Sequence, residues 1–374
     1  MTRKNLNSNF DEEPHSRGSR SQRHQKSRGP LIAVISVLVL VVIAAAVFIF
    51  LQQSNSNKAA GKKDNGNNTS TYKFTEFTGN NFLGENTIKV DANYFAFSSD
   101  ADNTPHVRLA TSTDNVNFTP SDADILPTLP SWSATPNKLT RPGIWKMGDQ
   151  YIIYANFVNG ASGLFAIGAA TSPTVEGPYT PVEEPLLLAD YGVLSSYFDV
   201  SIYQEDGKNY MLYATDQNLG YDIWIQQLSD DGLGIIGDPT KLVDSTTIDQ
   251  YKKTSKVALV ERPALVKAPD GKYVLIYSAD KVDLDTAYIG YAVSDSITGP
   301  YTNGGSFVSN DQMNNGLQGP SEPAVFQDDD KNYLIFNAWK GKHDSWNGIG
   351  NTATWLRYRV EFTWKDGHIP SLKK

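Results

Sequence analysis

The chain has 374 residues, enough for about one to three domains, and its 40% hydrophobic content allows a sizeable core. Its 33 Lys and Arg against 41 Asp and Glu give a formal charge of −8. With no basic cluster beyond Lys63, that balance excludes a general nucleic-acid binder, which needs a concentrated cationic surface. The absence of cysteine excludes disulfides, thiolate metal sites and a thiol nucleophile, and His15, His24, His106, His343 and His368 lack the paired spacing of a zinc site.

Residues 1–30 form a basic tail in which Arg3, Lys4, Arg17, Arg20, Arg23, Lys26 and Arg28 outweigh Asp11, Glu12 and Glu13. Residues 31–51, LIAVISVLVLVVIAAAVFIFL, are interrupted only by Ser36. As a helix rising ~1.5 Å per residue they reach across the ~30 Å hydrocarbon layer. The run exceeds the apolar core of a cleaved signal peptide and lacks a small-x-small exit, so it is expected to be a transmembrane anchor. The positive-inside rule then places the tail in the cytoplasm and the C-terminal domain outside the cell. Residues 52–72 are rich in Asn, Ser, Lys and Gly, too polar to bury a core, and read as a disordered linker.

From 73 to 374 one strand recurs: NYFAFSS at 93, QYIIYAN at 150, NYMLYAT at 209, KYVLIYS at 272 and NYLIFNA at 332. Tyr94, Tyr151, Tyr210, Tyr273 and Tyr333 mark the copies at intervals of about 60 residues, a repeat period. Each follows an Asp/Gly/Asn/Lys-rich turn (VDAN, MGDQ, EDGK, PDGK, DDDK), and strands such as GIWKM, VSIYQ and ALVKA precede those turns, so the copies read as hairpins. Third strands follow (VRLATST, AIGAATS, IWIQQLS, IGYAVSD, LRYRVEF), with turn-rich exits such as EGPYTP and TGPYTN. Repeated small antiparallel sheets predict an all-β, five-bladed propeller.

Ahead of each marker tyrosine the copies read LGENT, TRPGI, FDVSI, VERPA and SEPAV. First strands line a propeller axis, so Gly84 or Glu85, Arg141, Asp199, Glu261 and Glu322 are expected to converge on one mouth of the funnel. Charged groups at apolar strand starts are costly unless paired or used, which makes this ring the candidate site. Asp206, Asp270, Asp328, Asp329 and Asp330 sit in hairpin turns, where Asp satisfies local backbone donors, and are read as structural. Trp132 and Trp346 lie in Pro/Ser/Asn/Gly-rich loops, where each ring is either a sugar platform or loop packing.

FDVSIYQEDGKNYMLYA and VERPALVKAPDGKYVLIYS, with RPGIWKMGDQYIIYAN and VEFTWKDGHIPSL, resemble the five-bladed propeller glycosidases of glycoside hydrolase family 43. The resemblance implies an inverting glycosidase acting on arabinose- or xylose-containing glycan, of plant type or at a cell surface. It implies Glu261 as general acid and Asp199 as the carboxylate that orients it and keeps its proton in place. Inversion needs one protonated carboxyl and one carboxylate that activates water, roughly 6.5 to 9.5 Å apart.

Two positions depart from the family pattern. Gly84 stands where the family has its basic aspartate; Glu85, one residue along, either supplies the base through a bulge or leaves a glycan-binding propeller without turnover. A scaffold for protein partners is a third reading. Glu322 stands where many members carry a histidine near an axial cation, and either ligates structural calcium or sodium or pairs with Arg141. Arg141 replaces a small residue on the pocket floor, and with Glu322, Trp132 and Trp346 completes the expected substrate-binding set. No cofactor is expected to be required.

Overall fold

The structure is a computed structural model that describes residues 72–79, 86–99, 105–134, 139–188, 195–216, 220–248, 259–280, 286–341 and 353–374. The basic tail, the apolar segment 31–51, nearly all of the linker, Gly84, Glu85 and Trp346 lie outside these residues.

The described residues form five antiparallel sheets, the blades of a propeller. Blade one is β2 (Thr87–Val90), β3 (Asn93–Ser98), β4 (Arg108–Ser112) and β5 (Thr119–Asp124). Blade two is β6 (Thr140–Met147), β7 (Gln150–Val158), β8 (Phe165–Ser172) and β9 (Thr180–Pro181). Blade three is β10 (Tyr197–Glu205), β11 (Lys208–Thr215), β12 (Asp222–Leu228) and β13 (Ile235–Val243). Blade four is β14 (Val260–Lys267), β15 (Tyr273–Ala279), β16 (Tyr288–Ser294) and β17 (Thr302–Val308). Blade five has β18 (Leu317–Asp328), β19 (Lys331–Lys340) and β20 (Thr354–Lys365), and its outer edge is shared by β1 (Thr75–Glu76) and β21 (Ile369–Leu372).

The second strand of each blade is the recurring tyrosine strand, and burial explains its near-continuous apolar sequence. In β7 every residue from Tyr151 to Phe157 is buried, because neighbouring blades cover both faces of the sheet. The outer strands have no such cover, and β5, TPSDAD, is polar and largely exposed. Five buried apolar clusters close the circle, one between each pair of neighbours. Phe97 and Ile144 join blades one and two, Tyr154 and Met211 join two and three, and Leu212 and Leu275 join three and four. Val274 and Phe336 join four and five, and Phe326 and Tyr94 join five and one.

The two ends of the described chain meet in blade five. β1 pairs with β20 through Thr75 opposite Arg359 and Glu76 opposite Tyr358, while Thr78 exchanges backbone hydrogen bonds with Val116 and Phe118 of blade one. Phe77 packs on Phe118 at 5.3 Å between ring centroids. The strand nearest the linker thus ties the last blade to the first, leaving neither blade with a free seam.

Three of the hairpin-turn acids serve the fold, in two ways. Asp206 and Asp329 take left-handed backbone at φ 50° and 53°, which Asp tolerates better than most residues. Asp328 reaches to the next blade, accepting from Lys89 Nζ at 2.5 Å and Tyr94 Oη at 2.5 Å. Glu205 repeats this latch, accepting from Lys267 at 2.5 Å and Tyr273 at 2.6 Å. The exits EGPYTP and TGPYTN share a cis peptide, at Gly177–Pro178 and Gly299–Pro300.

Gly290 on β16 lies opposite Tyr277, and a Cβ there would sit 2.6 Å from the Tyr277 ring, itself fully buried. Gly290→Ala is expected to lower the unfolding free energy by about 1–3 kcal/mol, as overpacking does in a closed core. Urea titration followed by tryptophan fluorescence measures this; an unchanged midpoint would show that the blade interface yields.

Candidate active site

The innermost strands of blades two to five begin alike. Their ladders break between Thr140 and Gly143, Phe198 and Ser201, Glu261 and Ala264, and Ser321 and Ala324. The first residue inside each break is left-handed: Arg141 (φ 59°), Asp199 (φ 57°), Arg262 (φ 57°) and Glu322 (φ 55°). Three are followed by proline, Pro142, Pro263 and Pro323, which can sit in a bulge because no ladder hydrogen bond is lost there. Left-handed backbone at Arg and Glu carries a cost of order 1–3 kcal/mol each and persists only where surrounding contacts enforce it.

Those contacts form a closed ring of alternating charge. Arg141 Nη1 lies 3.4 Å from Asp199 Oδ1 and 2.9 Å from Glu322 Oε1. Arg262 Nε lies 3.1 Å from the same Asp199 oxygen, and its Nη2 donates to the same Glu322 oxygen at 2.6 Å. In blade order the signs run plus, minus, plus, minus. Side-chain exposures of 2% for Asp199, 3% for Glu322 and 4% for Arg262, against 27% for Arg141, place three members below the surface and leave one partly exposed.

The second strands support the ring. Asp199 N donates to Asn156 Oδ1 of the preceding blade at 3.0 Å, and Glu322 N donates to Ser278 Oγ at 3.4 Å. Asn337 Nδ2 donates to Glu322 Oε2 at 3.2 Å. Burial raises the Glu322 carboxyl above its ordinary value, with Arg141 and Arg357 pulling the other way. The direct Arg262 hydrogen bond also favours the carboxylate.

This register corrects one expectation. The ring member from blade four is Arg262, not Glu261. Glu261 comes one residue earlier, opposite Ser278 at the last paired step before the break, and is buried. The proline shared by TRPGI and VERPA carried that register, and aligning on it gives Arg141 and Arg262 the same place. Asp199, expected as the carboxylate that orients Glu261, is itself held by two guanidiniums. Arg141 and Glu322 are brought together as an ion pair, one of the two alternatives open for them.

Two further residues belong to this mouth. Tyr221 is half-buried against Phe198, their rings 4.8 Å apart and edge-on. Burial pushes its hydroxyl up to about 12, with the charges of Glu261, Asp216 and Asp199 adding and Arg141 opposing. Asp216, immediately after β11, accepts from Ser196 N at 2.5 Å; burial raises its carboxyl and the Ser196 hydrogen bonds oppose the shift. The charges of Glu261, Asp199 and Asp216 thus all act on one tyrosine hydroxyl. The signal for Asp216 was an acid ending a marker strand, as in YATD.

Trp132 is partly buried, edge-on to Phe157 at 5.4 Å between centroids, and a Cβ on Gly168 would meet its ring at 2.9 Å. Those contacts give its ring a packing role beside blade two. Trp346 and Glu85 lie outside the described residues.

Glu322→Gln removes one charge from a buried, hydrogen-bonded ion cluster and is expected to lower stability by about 3–5 kcal/mol. Chemical denaturation at neutral pH measures it; a loss no larger than that of an exposed ion pair would contradict the ring.

The fold matches that of known enzymes. The chain superposes on a thermostable family-43 glycoside hydrolase with a TM-score of 0.65 at 21% identity, covering 77% of this chain and 91% of that one. The native arabinanase of Bacillus subtilis gives 0.60 at 20% identity, with 78% and 98% covered. The xylan beta-1,4-xylosidase of Bacillus halodurans C-125 gives 0.59 at 18% identity, with 77% and 54% covered. Identities this low establish the shared propeller. A search of curated proteins returns no match. The family model for glycosyl hydrolases family 43 matches residues 81–369, nearly the whole propeller, and the chain belongs to that family of glycosidases.

Proposed function

We propose that this glycosidase hydrolyses arabinose- or xylose-containing glycan with inversion, using Glu261 as general acid, Asp199 as the fixed carboxylate beside it and Glu85 as the base that activates water. The observation carrying the proposal is that Glu261 and Asp199 are both buried, with Glu261 one residue before Arg262, whose side chain is ion-paired to Asp199. A general acid must be held within hydrogen-bond reach of the leaving oxygen, and a residue that precedes a bulge locked by two ion pairs is held in that way. The pentose assignment rests on the family and on the printed names of the arabinanase and the xylosidase. A retaining route would place both carboxyl groups closer together and make one a nucleophile; the ring leaves Asp199 Oδ1 engaged by two guanidiniums, which suits a positioning role instead.

The same proposal places the enzyme on the membrane through residues 31–51, with the propeller outside the cell and the linker giving it reach toward bulky glycan. Carbonate extraction of membranes should leave the chain in the pellet; release into the supernatant would sink the anchor.

Glu261→Gln separates the chemistry from folding. The variant is expected to lose about 10²-fold or more in turnover of arabinan, xylan and aryl glycosides with poor leaving groups, and much less on dinitrophenyl glycosides, whose departure needs no proton. Equal loss on both leaving groups, or none, would remove Glu261 from the acid role. Saturable oligosaccharide binding by the wild-type chain without turnover would replace this reading with a glycan-holding propeller.

A further inference from the structure

A metal on the propeller axis is what the family resemblance brings to Glu322, and the residues present do not fit one. A hard cation such as calcium takes about 6–8 oxygen ligands at roughly 2.3–2.6 Å. Among the described residues no group of three or more His, Cys, Asp or Glu side chains gathers. The ring oxygens Asp199 Oδ1 and Glu322 Oε1 are each already contacted by both Arg141 and Arg262. Arg357 adds a third positive charge beside Glu322. A divalent ion entering here would meet three guanidiniums and two carboxylates whose inward oxygens are engaged.

The guanidiniums themselves supply what a metal supplies to carboxylates: fixed positive charge in a position set by several blades. Arg262 is the stronger anchor, buried and reaching both acids through Nε and Nη2, while Arg141 closes the circuit from the other side. Both stand on left-handed backbone at equivalent bulges, so the devices that aim them are the same. Guanidinium geometry suits this use, since its N–H groups are planar, always charged and directed to two acceptors at once.

We infer that Arg141 and Arg262 are positioning residues that take the place of an axial metal, holding Asp199 and Glu322 by a built-in pair of organic cations and making the propeller independent of divalent ions. This concerns the axis alone and holds whichever glycan is cleaved.

The test uses the full-length chain in detergent, because its readouts are metal content and melting temperature rather than hydrolysis. Elemental analysis after passage through chelating resin is expected to find far less than one divalent ion per chain, with the same melting temperature in excess EDTA and in millimolar calcium. About one ion per chain, or a fall of several degrees on chelation, would overturn the inference. Arg262→Gly deletes the guanidinium while suiting the left-handed backbone that glycine readily adopts. It is expected to melt several degrees lower and to regain part of that loss in millimolar guanidinium chloride, but not in equal sodium chloride. A Gly variant that melts like the wild type, or is recovered equally by both salts, would also overturn it. Should Arg262→Gly not fold, the two wild-type measurements decide the matter, since neither depends on a variant.

Discussion

Four charges set the geometry of this propeller's mouth. Blades two to five each present one left-handed residue to the axis, and the alternation of Arg141, Asp199, Arg262 and Glu322 lets every charge face two of opposite sign. Burying any one of them alone would cost several kcal/mol, so the ring is stable only complete. It therefore acts as a register device: a blade that slipped by one residue would point its charge away and leave its partners unpaired. The bulges that interrupt the inner strands provide the geometry, and the proline after three of the ring residues removes a donor the bulge could not satisfy.

The site inherits its precision from that ring. Glu261 is fixed because the next residue is locked, and Asp199 is fixed because it is part of the lock. Asp216 and Tyr221 stand beside it, and burial raises both side-chain pKa values. A glycosidase has to keep one carboxyl protonated beside others that are charged, and a partly buried mouth with its neighbouring acids neutralised by arginine provides unlike environments within one small space. Away from the ring, the Glu205 and Asp328 latches and the five apolar clusters hold neighbouring blades together.

Much of the fold is legible in the sequence because a blade's second strand is buried on both faces and must be apolar throughout, which stamps the same aromatic pattern on each copy. The hairpins are legible for a related reason, since Asp, Gly and Asn satisfy left-handed turn positions such as Asp206 and Asp329. β1 is not legible, since two residues that finish a blade some 280 positions away carry no local pattern. The ring is half legible. Its residue types stand out as charges at apolar strand starts, but VERPA offers two adjacent charges, and only the bulge decides that Arg262 faces the axis while Glu261 precedes it. For Trp132 the loop composition leaves a ligand platform and loop packing both open, and its contact with Phe157 gives it a packing role.

An inverting glycosidase delivers a proton and a water to opposite faces of one sugar. Proton NMR of the anomeric region during the first moments of hydrolysis of a defined oligosaccharide, before mutarotation, reads that directly. The proposed arrangement predicts that the first sugar released has the anomeric configuration opposite to that of the bond cleaved. A first product of the same configuration would mean a covalent intermediate, and would contradict the roles assigned here to Glu261 and Asp199.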